Sequence, residues 1–310
     1  MYIPEHEVRA SLKYDALIPA MRQALIDYSS GRVEQPPRTI LCAGNSDDAN
    51  NGWFAVMPVI AGDVMGVKTV TFYPGNAALG LPTHMAMIEL LCRSTGEPLA
   101  IMDGRLITEM RTAAVSAVAF AALVPLHFKT PPTCFGILGS GVQAHAHIHA
   151  LRFVWPELRE IRIWSRTRAN AEKLADATGA RAVSLEDAAA ADVVLTATSS
   201  PTPVLRGANL ALNALVLAVG ATGATLREID DDGMRSSFIV AESRSCVERE
   251  SGDVRLSGAT IAAELGEVLA GTSTPPFPQS GRVVFKTVGM AIEDLTAARL
   301  VWQARIQPTA

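Results

Sequence analysis

The chain has 310 residues and a net charge of −4, with 49% hydrophobic and 19% charged residues. This composition suits one large or two medium domains and excludes an intrinsically disordered protein. Because the net charge is small and no block of one sign occurs, neither nucleic acid nor a membrane is expected as a partner. The four cysteines are far apart and form no C-x-x-C pair, which predicts no zinc site, no disulfide framework and a cytoplasmic location.

The first third of the chain, up to about Met110, mixes helical and strand patterns. Asp15 is expected to cap a helix that continues through Tyr28, with Gly31 just beyond its end. Residues 83–91 fit either a strand or a helix, and their periodicity does not decide between the two. Gly, Pro and Asn separate four stretches that are typical of antiparallel strands, at residues 39–42, 53–60, 67–72 and 99–102.

The longest nearly apolar run covers residues 112–124 and is interrupted by Ser116. A bilayer requires roughly 20 apolar residues, so this run predicts a buried helix. The first seven residues carry acidic side chains and a proline where a signal peptide would have a basic and then an apolar stretch. A soluble protein is therefore expected.

From Thr133 onward, strand and helix patterns alternate regularly. Continuous apolar strands that alternate with helices are typical of a parallel sheet covered on both faces, which predicts an α/β fold with a Rossmann-type domain. An amphipathic helix is expected at residues 289–305. Apolar strands are predicted at residues 135–138, 161–164, 193–196, 215–219, 238–241 and 283–286, with a helix at 169–177.

A glycine-rich turn follows the first of these strands and opens a helix. Its first glycine permits the tight turn, its second lets the backbone approach a pyrophosphate, and the helix N-terminus supplies N–H donors for the phosphates. A nicotinamide dinucleotide site is therefore predicted here. The turn matches G-x-G-x-x-A and reads Gly139, Ser140, Gly141, Val142, Gln143, Ala144.

The end of the second strand indicates which nucleotide is preferred. NAD-specific sites place a carboxylate there to hold the ribose 2′-hydroxyl, and this chain has none. Two guanidiniums and two hydroxyls suit a 2′-phosphate, so NADP(H) is expected to be preferred, with NAD(H) possible. A solvated basic turn without this role is the alternative. The residues are Ser165, Arg166, Thr167 and Arg168.

Several further segments, taken in order, resemble the ornithine cyclodeaminase/mu-crystallin family over nearly the whole chain. WSRT at 164–167, EID at 228–230 and LGEV at 265–268 are closer to its ketimine reductase branch than to its cyclodeaminases. The segments that carry the resemblance are KTVTFYPGN at 68–76, GLPTH at 80–84, MDGRLIT at 102–108, RTAA at 111–114, the glycine-rich turn, SGD at 251–253 and FKTVGMAIED at 285–294.

The resemblance implies a homodimer of two-domain subunits. Residues 1–112 and 290–310 would form an α+β domain for substrate binding and dimerisation, into which a Rossmann domain at 113–289 is inserted. A small imino-acid or amino-acid substrate would bind between the domains, against the nicotinamide.

The resemblance also implies the site residues. Arg38, Lys68 and Arg111 match its substrate cations, which suits a carboxylate ligand. Val288 matches a position that lines the substrate, and Lys68 and Arg111 are the expected catalytic residues, Lys68 as a possible proton donor. His84 is a second candidate donor or a structural histidine. Beyond the two loops already described, the predicted cofactor contacts are Thr83, Arg111, Thr112, Thr198, Val219, Gly220, Thr222 and Thr287.

One departure from the family decides between activities. Cyclodeaminases carry an Asp-Cys-Pro-Gly-Lys-Thr-Glu type segment whose aspartate acts on the substrate amine, and this chain has Thr222 in that position, counted back from Glu228. Threonine does not exchange protons as a carboxylate does near neutral pH. The expected function is therefore NAD(P)H-dependent reduction of 1-pyrroline-2-carboxylate or 1-piperideine-2-carboxylate to L-proline or L-pipecolate.

Three alternatives stay open at this point. They are an ornithine cyclodeaminase, a reductase or dehydrogenase of linear imino or amino acids, and a protein that binds small ligands without turnover. His145, His147 and His149 lack carboxylate or cysteine partners, so no metal site is expected.

Overall fold

The computed structural model describes residues 1–43, 52–273, 277 and 281–306. The chain forms two compact units, one of Met1–Arg111 with Met290–Ala310 and one of Thr112–Gly289. The first boundary lies one residue before the predicted one, and the second lies at the predicted residue. The α/β fold class is as predicted, with a parallel sheet in the second unit.

Elements are numbered in chain order. The helices are α1 Glu5–Ser11, α2 Tyr14–Ser29, α3 Arg105–His127, α4 Val142–Val154, α5 Arg168–Thr178, α6 Leu185–Ala189, α7 Asp231–Arg235, α8 Arg244–Glu250, α9 Gly252–Ser257, α10 Leu265–Ala270 and α11 Ala291–Ile306. The strands are β1 Tyr2–Ile3, β2 Val33–Glu34, β3 Thr39–Cys42, β4 Trp53–Ala61, β5 Val64–Phe72, β6 His84–Cys92, β7 Pro98–Asp103, β8 Cys134–Leu138, β9 Glu160–Trp164, β10 Arg181–Ala182, β11 Val193–Thr196, β12 Leu215–Ala218, β13 Ser237–Ala241, β14 Ile261–Glu264 and β15 Arg282–Lys286.

The first unit contains one sheet of order β1-β7-β6-β5-β4-β2, with β3 also paired to β4. All pairs are antiparallel except β1 with β7. Helix α11 packs on β4, β5 and β6 and against α2, and so covers one face. Successive side chains of a strand point to opposite faces, and the row Met57, Lys68, Ile88, Met102 is buried on the helix side. Lys68 therefore points toward α11.

The predicted cap of the first long helix is wrong by two residues. Helix α2 begins at Tyr14, the capping position is Lys13, and Asp15 lies within the first turn, where it accepts a hydrogen bond from the backbone N–H of Ala16 (2.7 Å). A carboxylate in the first turn still interacts favourably with the helix dipole. The sequence therefore indicates the start of the helix correctly, but the capping position lies two residues before Asp15. Gly31 follows the helix with φ 72°, as expected for a C-terminal glycine.

The second unit is built on an eight-stranded, all-parallel sheet of order β10-β9-β8-β11-β12-β15-β13-β14. Neighbouring strands place Leu138, Val194, Val216, Val284 and Ile239 in one fully buried cluster. These apolar runs were predicted as strands, and each observed strand lies within one residue of its prediction at either end. Because the strands are parallel, the loops that follow them gather at one edge of the sheet, where ligands of such folds bind.

Helix α3 contains the apolar run at 112–124 and is buried there, as predicted. In the described part of the chain it is the one helix long and apolar enough to cross a membrane, with a mean hydropathy of 1.5. Two thirds of that apolar window (67%) is buried inside the protein. This burial is what the core helix of a folded domain shows.

Candidate active site

Two cations and two carboxylates form a buried cluster in the first unit. The Arg111 Nη1 donates to Glu293 Oε2 at 2.7 Å, and its Nε donates to Asp294 Oδ1 at 3.0 Å. The Lys68 Nζ lies 2.5 Å from Asp294 Oδ2. All four side chains are at most 6% exposed. The two cations that the sequence singled out are therefore brought together, and one aspartate binds both.

A third cation acts on the cluster. Arg38 is half-buried, and its charge acts on Lys68. Guanidinium and ammonium groups form strong charge-assisted hydrogen bonds with carboxylates, so these cations suit a ligand that carries a carboxylate.

Burial strongly affects proton binding here. Burial, together with the charges of Arg111 and Arg38, lowers the pKa of Lys68 to about 8, and Asp294 opposes this shift. Burial alone would raise the pKa of Asp294, but Arg111 and Lys68 outweigh it and hold that pKa below its ordinary value. Lys68 is thus a buried ammonium that can give up its proton near physiological pH.

His84 was a second candidate proton donor. Burial, followed by the charges of Lys68 and Arg111, lowers the pKa of His84 to about 4. Its imidazole is therefore neutral near pH 7. A neutral imidazole donates a proton far less readily than the Lys68 ammonium does. The structure favours a neutral, non-donating role for His84.

Glu293 and Asp294 are functional residues that the sequence analysis missed. They lie in the first turn of α11 and are 0% and 1% exposed. In the FKTVGMAIED segment, the sequence analysis assigns roles to Thr287 and Val288 but none to the last two residues. The sequence does contain a signal for them, because two adjacent carboxylates stand in an otherwise apolar segment. Such a segment is expected to be buried, and a buried carboxylate requires a partner.

The glycine-rich turn of the second unit has the geometry of a phosphate-binding loop. Gly139 has φ 124°, and a Cβ there would lie 2.4 Å from the carbonyl oxygen of Ala197, so only glycine fits. Gly141 has an ordinary φ of −82°, and a Cβ there would meet no atom of the described residues within 4 Å. The described residues therefore do not require glycine at 141, and the open space beside it suits the close approach of a ligand.

The neighbouring side chains also fit a dinucleotide. Gln143, in the first turn of α4, has a buried Oε1 without a hydrogen-bond partner among the described residues. Ser140 Oγ donates to Ser165 Oγ at 2.9 Å, which joins the glycine-rich turn to the end of β9. Val142 is exposed and Ala144 is fully buried, as close helix–strand packing requires.

The basic turn after β9 is exposed. Arg168 Nε donates to Glu172 Oε1 at 2.8 Å, within the first turn of α5. In the described ranges Arg166 has no carboxylate partner, and Thr167 precedes the helix without a side-chain capping bond. Of the two guanidiniums, Arg166 is therefore the one that pairs with no carboxylate of the described residues.

Two buried glutamates bind the loops that follow the next strands. Thr198 Oγ1 donates to Glu228 Oε1 at 2.8 Å, and the Gly220 N–H donates to Glu228 Oε2 at 2.7 Å. Thr287 Oγ1 makes a very short hydrogen bond to Glu242. Three of the predicted cofactor contacts are thus held by carboxylates to which the sequence analysis assigns no role.

The remaining predicted residues are distributed as follows. Thr112, Val219 and Val288 are buried, and Thr222 is exposed in the loop after β12. Thr83 lies in the first unit just before β6, where its carbonyl accepts from the Tyr73 N–H at 2.8 Å.

No group of three or more His, Cys, Asp or Glu side chains in the described residues could hold a metal ion. His147 is fully buried, with Nε2 2.9 Å from Ser116 Oγ and Nδ1 2.7 Å from the Gln143 carbonyl oxygen. Burial lowers its pKa to about 4. This histidine is a packed structural residue.

Comparison with known proteins shows which family this chain resembles. The family model of the ornithine cyclodeaminase/mu-crystallin family matches residues 1–307. Ketimine reductase mu-crystallin of Mus musculus is 40% identical over 313 residues, 98% of this chain and 96% of the relative. Delta(1)-pyrroline-2-carboxylate/Delta(1)-piperideine-2-carboxylate reductase of Azospirillum brasilense is 37% identical, with 94% and 92% covered.

A solved structure agrees in fold over the whole chain. Delta(1)-pyrroline-2-carboxylate reductase of Thermococcus litoralis, in complex with NADH and L-proline, superposes with a TM-score of 0.90 at 29% identity. The alignment covers 99% of this chain and 97% of the other. On this basis, the chain belongs to the ornithine cyclodeaminase/mu-crystallin family.

Proposed function

We propose that the protein reduces cyclic ketimine carboxylates, 1-pyrroline-2-carboxylate and 1-piperideine-2-carboxylate, to L-proline and L-pipecolate with NAD(P)H. The observation that carries this proposal is the buried pair Lys68 and Arg111, oriented by Asp294. Relatives named as reductases of these imines, and one solved with NADH and L-proline, support it.

Each group of the cluster has a distinct task. Arg111, anchored by its two carboxylates, binds the substrate carboxylate through its planar guanidinium. Lys68 has three N–H donors and gives one to Asp294, so it can also donate toward the substrate. Its lowered pKa suits it to deliver the proton that the ring nitrogen requires.

The nucleotide supplies the hydride when it is bound. The N-terminus of α4 would bind the pyrophosphate of the nucleotide. Gly139 and Gly141 would let the backbone approach that pyrophosphate closely. Asp294 keeps Lys68 charged until the proton is needed. The chain thus provides a carboxylate clamp, a proton and a nucleotide site, and a reduction of C=N requires no further catalytic group.

The lyase reaction is less well supported by these residues. Thr222 is exposed, and its N–H donates to the Gly220 carbonyl at 3.1 Å. A hydroxyl there cannot act as the acid and base that a cyclodeaminase has at this position.

The proposal is tested by following NADPH and NADH oxidation with each of the two imines, beside an assay for proline and ammonia from ornithine with NAD. Imine-dependent oxidation without ammonia from ornithine is expected. Ammonia release with no net change of the nucleotide would instead establish a lyase.

We further propose that NADP(H) is preferred, because Arg166 is exposed after β9 and pairs with no carboxylate of the described chain. Arg166→Ala should weaken NADPH about tenfold, the effect of one lost charge-assisted hydrogen bond, and leave NADH nearly unchanged. Arg181→Ala, which removes another exposed guanidinium from the same unit, is the matched control. Equal weakening of NADPH and NADH in Arg166→Ala would disprove the assignment.

A homodimer through the outer face of the first unit's sheet is also proposed. This face is apolar although it is exposed, and an exposed apolar face of this kind marks a protein interface. A solved structure of similar fold, an archaeal alanine dehydrogenase, is a dimer, which makes a second copy of this chain the expected partner. The residues of the outer face are Tyr2, Leu41, Met85, Met87 and Ile101, each between 41% and 59% exposed.

Met87→Glu is expected to dissociate that dimer, because it buries a charge in the centre of an apolar interface. Sedimentation should then give the monomer mass of 32.9 kDa in place of twice that value. Leu126→Glu, equally exposed on α3, should leave the dimer intact. A wild-type monomer, or dissociation by both substitutions, would contradict the proposal.

A further inference from the structure

The Glu228 carboxylate is fully buried and accepts an unusual number of hydrogen bonds. Its Oε1 accepts from the Thr198 N–H (2.6 Å) and from Thr198 Oγ1 (2.8 Å). Its Oε2 accepts from Thr196 Oγ1 (2.8 Å) and from the N–H groups of Gly220 (2.7 Å) and Ala221 (3.1 Å). One side chain therefore joins the loops that follow β11 and β12.

A second layer holds Glu228 itself. Asp253 Oδ1 accepts from the backbone N–H groups of Glu228 (2.8 Å) and Ile229 (3.0 Å). Its Oδ2 lies 3.1 Å from Lys286 Nζ, which donates to the Ala221 carbonyl at 3.0 Å. The backbone of Ala221 is thus held at its N–H by Glu228 and at its carbonyl by Lys286, with all these side chains fully buried.

The close approach of the two loops depends on Gly220. A Cβ at this position would lie 2.5 Å from Glu228 Oε1 and 2.3 Å from the Thr198 carbonyl oxygen. Any larger residue would separate the loops. The glycine and the buried carboxylate therefore act together to set the distance between the ends of β11 and β12.

The order of strands in the sheet shows which half of the nucleotide lies beside the loops that Glu228 joins. The phosphate loop follows β8, and the basic turn that faces the adenosine ribose follows β9 on one side of it. Strands β11 and β12 lie on the other side of β8. The loops bound by Glu228 therefore border the half of the site that takes the nicotinamide and its ribose.

The hydrogen bonds also determine what Thr198 can offer a ligand. The Thr198 hydroxyl donates its proton to Glu228 Oε1, so that proton is not available to a ligand. One lone pair of this hydroxyl accepts from the Ser200 N–H at 3.3 Å, and the other can accept from a ribose hydroxyl or a carboxamide N–H. Thr287 is oriented in the same way by Glu242.

We propose that Glu228 is a positioning residue for the nicotinamide half of the cofactor, acting through Thr198 and the loop at Gly220. The inference rests on the proposed function only in taking a nicotinamide dinucleotide as the cofactor. Glutamine at 228 would present an amide NH₂ to at least one backbone N–H donor, and the loops could not keep their positions.

The test compares a whole nucleotide with its adenosine half. Glu228→Gln should raise the Kd of NADH about tenfold or more and leave the Kd of ADP within about twofold, because β8 and β9 are not bound by Glu228. Neither probe carries a 2′-phosphate, so the NADP preference does not enter. Glu264→Gln, another buried carboxylate at the edge strand β14, should change neither Kd.

If the Glu228→Gln variant does not fold, Glu228→Asp provides the same comparison of the Kd values of NADH and ADP. It keeps the negative charge beside Lys286 but is one methylene too short to reach both loops, so the same difference between NADH and ADP is expected. Equal weakening of NADH and ADP, or of neither, would overturn the proposal. Because no imine is present, a failure of the proposed reaction would leave this result unaffected and the two can be told apart.

Discussion

Lys68→Met is expected to lower kcat/KM for 1-pyrroline-2-carboxylate by about 10³-fold. The substitution removes one donor to the substrate carboxylate, worth about 1.5–3 kcal/mol, together with the proton source for the ring nitrogen. Methionine fills the buried space of the lysine stem, and Asp294 keeps its contact with Arg111. The fold should therefore survive, and the affinity for NADH should stay the same.

The matched control for this variant is Lys13→Met, which removes an exposed lysine from the same unit. It should have wild-type activity. Turnover of Lys68→Met within about threefold of wild type would exclude Lys68 from the reaction. Arg111→Ala is a poorer test, because it would leave Glu293 and Asp294 short of a buried partner and cost about 3–5 kcal/mol of stability.

Asp294→Asn should move the alkaline limb of the pH profile. The reaction requires Lys68 in its charged form, and its pKa of about 8 predicts that wild-type kcat/KM falls as the pH rises through that value. Asp294 raises the pKa of Lys68, so removing its charge lowers that pKa, and activity is lost at a lower pH. A shift of about 1–3 pH units is expected for the loss of an adjacent opposite charge.

Asparagine keeps the size of the side chain and removes its charge, but its one acceptor oxygen can accept from only one of Lys68 and Arg111, and its NH₂ then faces the other. Asp63→Asn serves as the control, because this exposed aspartate pairs with Arg299 and not with the cluster. Its profile should match the wild type. An alkaline limb that stays in place in Asp294→Asn, or moves to higher pH, would show that Lys68 does not control it.

The strands of the second unit could be predicted because their signal is local. In Val193–Thr196 the first three residues are continuously apolar, and a polar or turn segment bounds each such run. A buried parallel strand needs both faces apolar, so composition alone identifies it. The glycine-rich turn was equally clear, because its backbone requirements appear directly as glycines.

Strand β6 could not be distinguished from a helix for a physical reason. Ile88 and Leu90 are buried, but Met85 and Met87 on the opposite face are also apolar although they are exposed. The alternation of apolar and polar residues that marks a half-buried strand is therefore absent. The exposed apolar side chains of Met85 and Met87 thus prevented the assignment of the strand, and the same side chains suggest a subunit interface.

The carboxylates of the site were missed because their partners come from distant parts of the chain. Asp294 is buried against Lys68 on β5 and Arg111 on α3, and Glu228 is buried against two separate loops. Residue type alone suggests exposure for both. The cations were found only through the resemblance, which gives positions but not the network that orients them.

The central claim is the reduction of a cyclic C=N bond by a hydride from the nucleotide. It is tested most directly with 1-pyrroline-2-carboxylate and a reduced nucleotide that carries deuterium at both C4 positions, with the product analysed by mass spectrometry. L-proline with one deuterium at its α-carbon is predicted, in an amount equal to the nucleotide oxidised. Proline without deuterium, or no proline from the imine while ornithine yields proline and ammonia, would contradict the account.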